Sequence, residues 1–236
     1  METPLTTVKI KPELKVDWAT HEAAKWACEK WHYSKCIPAG KLVKIGVWEN
    51  NAYVGCVIYG HGANNNACKY FKLTQQECCE LVRVALKEHR TPVSRILSIS
   101  YKLLKEKCPK IKLVFSYSDV TNQKHHGGIY QADNWAYLGE RKTSDKGAYY
   151  VIKGKRIHGR SARAKYGHES KFPKGWTHVP SQTKHLYVKI LDKSYDLKEK
   201  QKPYPKKCVV SKDNVASVFH TEEGGATPTT ALQLSE

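Results

Sequence analysis

The segment Leu42–Gly62, LVKIGVWENNAYVGCVIYGHG, constrains the fold more than any other. Two runs rich in Val, Ile, Trp and Tyr flank Glu49-Asn50-Asn51. Asparagine tolerates the positive φ that a tight turn needs, so the segment predicts an antiparallel hairpin and therefore a sheet. Downstream of the hairpin the chain alternates between strand and helix periodicity. In CCELVRVALKEH, residues Leu81, Val82, Val84 and Ala85 suit a buried strand, with a short helix over Gln75–Cys79 before it. TPVSRILSISYKLLKEKCP predicts a helix capped by Thr91 or Ser94, with Pro92 in its first turn and Pro109 closing it. KIKLVFSYSD reads as a strand, GGIYQADNWAYLG as a helix stopped at Gly139, and AYYVIKGKRIHGRS as one or two further strands. Ahead of the hairpin, residues 17–31 set Trp18, Ala19, Ala23, Trp26 and Ala27 at helical spacing behind Asp17 or Thr20. Strands alternating with helices argue an α/β (α+β) fold: a central, partly parallel mixed sheet flanked by helices.

Charge narrows the partner. The chain of 236 residues carries 40 Lys and Arg against 22 acids, a formal +18. Such a balance repels itself on folding and suits a polyanion, nucleic acid before an anionic membrane. No charged-then-apolar leader and no apolar run of about 18 residues is present, so a membrane is not the expected partner. The eight cysteines form no Cys-x-x-Cys pair, and reduced, mostly buried thiols in a cytoplasm fit them best. From Lys153 to Val210 there are 16 Lys or Arg against 4 acids. The composition therefore separates a main domain over 1–165 from a basic extension packing on it over 166–210. The Gly/Thr/Pro-rich tail, 211–236, reads as disordered.

Several clusters carry more polarity than a core needs. A strand ending on Asp119 places a carboxylate where open α/β sheets bind ligands. His125 and His126 precede a Gly-Gly pair and suit proton transfer or, with His32 and Asp119, a metal such as iron. Trp31-His32-Tyr33-Ser34 offers rings that stack on bases and hydroxyls that reach polar edges; Trp135 extends that set. Asn134 carries an amide whose donor and acceptor can pair with a base edge. Arg83, Arg90, Ser94 and Arg95 surround a helix start that suits a phosphate-bearing donor. Lys41, Lys153, Lys155, Arg156, Arg160, Arg163 and Lys165 are candidates for the nucleic-acid backbone.

Together these pieces resemble the Mom family of bacteriophage DNA-modification proteins. The resemblance covers roughly residues 30–165 and rests on five stretches: WHYS…P-x-GK (Trp31–Lys41), GVWENNAYVGCVIYGHGAN (Gly46–Asn64), ELVRVALKEHRTPVSR (Glu80–Arg95), SYSD (Ser116–Asp119) and H-x-G-x-YQADNW-x-Y-x-G (His126–Gly139). It implies a GNAT-like acyltransferase fold. It also implies conversion of adenine N6 in DNA to a carbamoylmethyl adduct that protects phage DNA from restriction. The phage-encoded enzyme would then act in the host cytoplasm. Carried over by motif, the site residues are His32, Tyr33, Ser34, Arg83, Ser116, Asp119, His126, Tyr130 and Asn134; His125 stands where the pattern has glycine. The expected partner is DNA presenting a flipped or single-stranded adenine, with tRNA possible. Candidate donors are glycyl-tRNA or an acyl-CoA. Two other classes stay open: a GNAT N-acetyltransferase of a protein or small amine, and a non-catalytic basic DNA-binding protein.

Overall fold

A computed structural model of the chain describes residues 11–62, 66–119, 126–141, 149–179 and 183–205. The chain to Tyr204 clusters as one unit. Its elements are β1 (Leu14–Trp18), α1 (His21–Trp31), β2 (Leu42–Glu49), β3 (Ala52–Gly60), α2 (Ala67–Tyr70), β4 (Cys78–Leu86), α3 (Val93–Lys107), β5 (Leu113–Ser118), α4 (Gly128–Ala132), β6 (Ala136–Arg141), β7 (Tyr149–Ile152), β8 (Lys155–His158), α5 (Gly159–Tyr166), β9 (Thr177–Val179) and β10 (Lys184–Ile190). The central sheet has seven strands in the order β1-β2-β3-β4-β5-β10-β6. It is the mixed α/β architecture that the alternating pattern implies. Only β4 and β5 pair in parallel; their neighbours in this sheet pair antiparallel.

The hairpin forms as its sequence dictates. Asn50 and Asn51 take φ of 48° and 65°, the left-handed pair that turns β2 into β3. Helix α1 lays Ala24, Ala27 and Cys28 on Cys56, Ile58 and Ala85. Helix α3 covers the other core, setting Ile96, Leu97, Tyr101 and Leu104 against Ile45, Val47, Val57 and Leu81. Of the described cysteines, five are buried, Cys36 is exposed and Cys108 is half-buried; all are free thiols. No helix among the described residues is long and apolar enough to cross a membrane.

Five local expectations are corrected. Asp17 and Trp18 lie in β1, and α1 starts later because the Thr20 hydroxyl accepts from the Ala23 N–H. No helix forms over Gln75–Cys79: the Glu77 carboxylate accepts from the Thr74 N–H and hydroxyl, which closes a turn, and Cys78 already pairs in β4. Neither Thr91 nor Ser94 caps α3; Pro92 holds the cap position, and the Glu49 carboxylate takes the Arg90 and Thr91 N–H groups just ahead of it. Helix α4 stops at Ala132, because Asn134 turns left-handed at φ 55° and the chain then enters β6. Helix α5 stands where the sequence pattern suggests no helix.

The boundary at residue 165 does not mark a break. Residues 149–179 build a second, three-stranded sheet, β8-β7-β9, with α5 against it. Its core is Tyr150, Ile152, Ala162 and Phe172. Strand β10 then returns to the central sheet between β5 and β6, whereas the composition predicts a basic extension packed from outside. This excursion leaves the sheet at Arg141 and re-enters at Lys184, which face each other across the β6–β10 ladder. The segment beyond β10 runs along β6. The Lys202 N–H donates to the Tyr137 carbonyl oxygen and the Tyr204 hydroxyl to that of Trp135. The tail over 211–236 lies outside the described residues.

Candidate active site at the parted strands

The parallel ladder between β4 and β5 is short. It pairs Cys78 with Leu113, Cys79 with Val114 and Glu80 with Phe115, then stops. Beyond that rung the two strands continue without pairing, and polar side chains occupy the seam. Ser116 donates its hydroxyl proton to the Leu81 carbonyl oxygen at 2.8 Å. With that proton committed, the Tyr130 hydroxyl, also at 2.8 Å, donates to Ser116 Oγ. Strand β4 is bulged at the same level: Tyr59 pairs with Leu81 and Ile58 with Arg83, leaving Val82 as the extra residue. Such a bulge re-aims the side chain beyond it. Arg83 is half-buried, with its Nη1 donating to the Val82 carbonyl oxygen at 2.7 Å and its Nε reaching the Cys36 carbonyl oxygen.

Glu80 stands on the last rung of the ladder. Burial pushes its carboxyl up to about 7, although Lys184 and Arg83 pull the other way. A glycine makes room for it: a Cβ on Gly62, whose φ is +71°, would lie 1.8 Å from a Glu80 carboxylate oxygen. Tyr33 is linked to this group. It is 56% exposed, yet loss of hydration raises its phenol; Arg83 opposes the rise, and Asp119, Tyr149 and Glu80 add to it. Tyr130 is buried, and its phenol is raised by burial, with Tyr33 and Glu80 contributing. Tyr33, Glu80, Arg83, Asp119 and Tyr130 thus form one electrostatically linked group from four parts of the chain.

The other expected residues fall in different places. His32 is buried, its Nδ1 accepting from the Ser34 N–H at 3.1 Å and lying 2.8 Å from the Ser34 hydroxyl. Its ring packs 4.2 Å from that of Tyr33, so the His32–Ser34 turn positions the tyrosine. His126 is half-buried, and its carbonyl oxygen accepts from the Tyr187 hydroxyl and the Gln131 amide. His125 lies outside the described residues. Trp135 is corrected: it is fully enclosed, its Nε1 donating to Asp133 at 2.8 Å, so no face is open for a base. Asn134 is exposed at the end of α4. Trp31 packs against Trp26 and Tyr53 beneath Lys87. Arg90 and Arg95 are exposed around the start of α3, and Ser94 is half-buried in its first turn.

Lys41 edges a separate apolar cavity of about 410 Å³ between β3 and the end of α3. Lys153, Lys155, Arg156, Arg160, Arg163 and Lys165 all belong to the second sheet and α5. Among the described residues, no three His, Cys, Asp or Glu side chains converge as a metal site. His32 Nδ1 is engaged by Ser34 and His125 lies outside the described residues, and no step below depends on a metal.

Sequence reasoning missed Glu80 and Lys184. The signal for Glu80 was present: a lone carboxylate inside the apolar run CCELVRV. A charge buried in a strand is costly, and so it marks a site. Lys184 had no such signal. At the end of β5 and in the facing strand, Ser118 Oγ and His185 Nδ1 are buried without a hydrogen-bond partner among the described residues. They face each other across the ladder, one residue from Asp119.

The fold and seam define a class: a mixed α/β protein whose central sheet parts between two parallel strands over a cluster of ionisable groups. The chain belongs to the Mom protein family, whose model matches residues 13–206. No curated protein matches it. Solved structures similar to it include the ribosomal-protein-S5-alanine acetyltransferase from Vibrio fischeri, 10% identical with a TM-score of 0.42 over 78% of this chain and 95% of that one. A candidate acetyltransferase from Acinetobacter baylyi is 12% identical with a TM-score of 0.42 over 81% and 98%. A GNAT-family candidate from Chromobacterium violaceum is 9% identical with a TM-score of 0.41 over 80% and 94%.

Proposed function

We propose that this protein is a phage DNA-modifying transferase that converts adenine N6 to a carbamoylmethyl adduct and so shields phage DNA from restriction. The observation that carries this reading is the meeting of Tyr33, Glu80, Arg83 and Asp119 where the β4–β5 ladder ends. A duplex hides adenine N6 within the stack, so the base must be flipped or single-stranded to react. Tyr33, with its ring exposed, is the group to stack on it, and aromatic stacking of about 1–3 kcal/mol per base offsets part of the unstacking.

The exocyclic amine is a weak nucleophile and must lose a proton as it attacks. A carboxylate poised near neutrality is the matched acceptor, which assigns that role to Glu80, with Asp119 as the second carboxylate. Arg83 and the edge of β4 beyond Glu80, where the ladder with β5 has ended, face the developing oxyanion. The chemistry asks for a glycyl ester or thioester, as in glycyl-tRNA or an acyl-CoA. Attack by N6 on its carbonyl expels the alcohol or thiol and leaves a glycyl amide. The glycyl amine then adds to adenine C6 and displaces the amide nitrogen, which yields N6–CH2–CO–NH2 with atoms conserved.

Mass spectrometry of nucleosides from DNA of cells expressing the protein tests the reading. A carbamoylmethyl-adenine peak that disappears with Glu80→Gln supports it. An unchanged adenine profile, with acetyl-CoA turnover on a free amine in its place, overturns it.

A further inference from the structure

We infer that the second sheet, residues 149–179, is a module that grips the phosphate backbone of double-stranded DNA and presents it to the seam. This rests on the proposed function and names the surface that would bring its substrate in.

The segment carries eight Lys or Arg and one acid, Glu169. That acid is neutralised internally: it accepts from the Tyr150 hydroxyl, and Arg163 Nη2 lies 3.0 Å away. Lys153, Lys155, Lys165, Lys171 and Lys174 are exposed, and none makes an ion pair among the described residues. Unpaired cations of one sign repel each other, so the module holds them together at a cost that a polyanion removes. It can hold them because it has an aromatic core of its own. Tyr150 stacks edge-on with Phe172 at 4.9 Å and with Trp176 at 5.0 Å, and Tyr166 and Ile157 close around them. A solvated charge run needs no such scaffold.

The second observation links this surface to the site. Tyr149 opens strand β7, and its phenol is one of the groups acting on Tyr33. The residue next to it in the chain, Tyr150, anchors the module's core. One end of β7 therefore lies within electrostatic reach of the proposed base-stacking residue, while the hairpin turn at Lys153-Gly154 carries cations at the other. A strand of four residues spans roughly 13 Å at about 3.3 Å per residue. That is several base steps at about 3.4 Å each, a distance at which a held backbone can deliver one nucleotide.

The test uses the full chain and a short labelled duplex, with affinity measured across a salt series. Replacing Lys153, Lys155 and Lys171 together by Ala should weaken binding at least tenfold at low salt. It should also flatten the slope of log K against log salt by about 0.9 for each phosphate that is no longer neutralised. Removing three exposed lysines elsewhere, Lys72, Lys102 and Lys110, should change neither by more than about a third as much. Equal losses from the two triple variants overturn the inference, as does a module variant that loses tRNA but keeps duplex affinity. Far-ultraviolet circular dichroism and thermal unfolding confirm that each variant is folded. The inference and the function separate cleanly. Module-dependent duplex binding with no modified adenine leaves the grip standing and removes the chemistry; modified adenine with module-independent binding does the reverse.

Discussion

The Ser116 hydroxyl donates to the Leu81 carbonyl oxygen at 2.8 Å, one residue past the last backbone rung between β4 and β5. A side chain thus closes the ladder where the backbone has parted, and Tyr130 secures it from the other side. Without that link the carbonyl oxygen would be buried with no donor, which costs about 1–3 kcal/mol. Ser116→Ala should therefore lower stability by that amount and loosen the seam. Tyr130→Phe removes only the second bond and should cost about 1 kcal/mol. Urea unfolding of the two variants gives the ranking; equal losses would remove the special role of Ser116.

Glu80 should show itself in two pH profiles. Its carboxyl is raised to about 7 in the folded chain, so the fold binds the proton more tightly than the unfolded chain does. Stability from this group therefore falls as pH rises from about 4.5 to about 7. Glu80→Gln removes the penalty, and the variant should be about 1–3 kcal/mol more stable than the parent at pH 8, with the two converging near pH 4.5. Modification activity should do the opposite. It should rise through about pH 7 in the parent and lie at least a hundredfold lower, without that step, in the variant.

Glu49 gives the reverse sign. Burial alone would raise its carboxyl, but bonds from Thr91 and the Arg90 N–H hold it below the usual range. Its contribution is complete above the unfolded value near 4.5 and is lost as pH falls through the lower folded value. Glu49→Gln should cost about 1–3 kcal/mol at pH 7 and progressively less as pH falls, measured by denaturant unfolding. The loss should also appear as faster amide exchange at the start of α3.

Tyr33 and Trp135 should behave as opposites. Tyr33 is more than half exposed, so Tyr33→Ala should leave thermal stability nearly unchanged and lower affinity for single-stranded DNA by about 1–3 kcal/mol. Tyr33→Phe keeps the ring and should retain that affinity. Trp135 is enclosed and bonded to Asp133, so Trp135→Ala should cost about 3–5 kcal/mol of stability. Thermal unfolding beside fluorescence anisotropy separates a stacking ring from a core ring.

The hairpin, α1, α3 and β5 were legible because each rests on a local signal: an Asn-Asn turn, an amphipathic stripe, an apolar run. Asp119, Arg83 and Tyr33 stood out as polarity beyond what a core needs, and Ser116 came only with the family resemblance. What failed depended on partners distant in the chain. GGIYQADNWAYLG reads as one helix until Asn134 turns left-handed and Tyr137 takes its place beside Tyr187. Trp135 looked like a surface ring because its partners, Asp133 and Tyr101, meet it only in the folded chain. Strand β10 sits after some 30 residues of basic character, and no local pattern says that it returns between β5 and β6. Lys184 acts on Glu80 only because of that return.

That return also says how lineages of this fold can diverge. Because Arg141 and Lys184 sit opposite one another, the second sheet, residues 149–179, falls between two strand ends that meet at a single point of the parent sheet. A cassette attached in this way can grow, shrink or be exchanged without displacing a strand on either side. On the proposed function, versions of this protein facing different genomes can therefore refit the appendage while the seam beneath stays as it is.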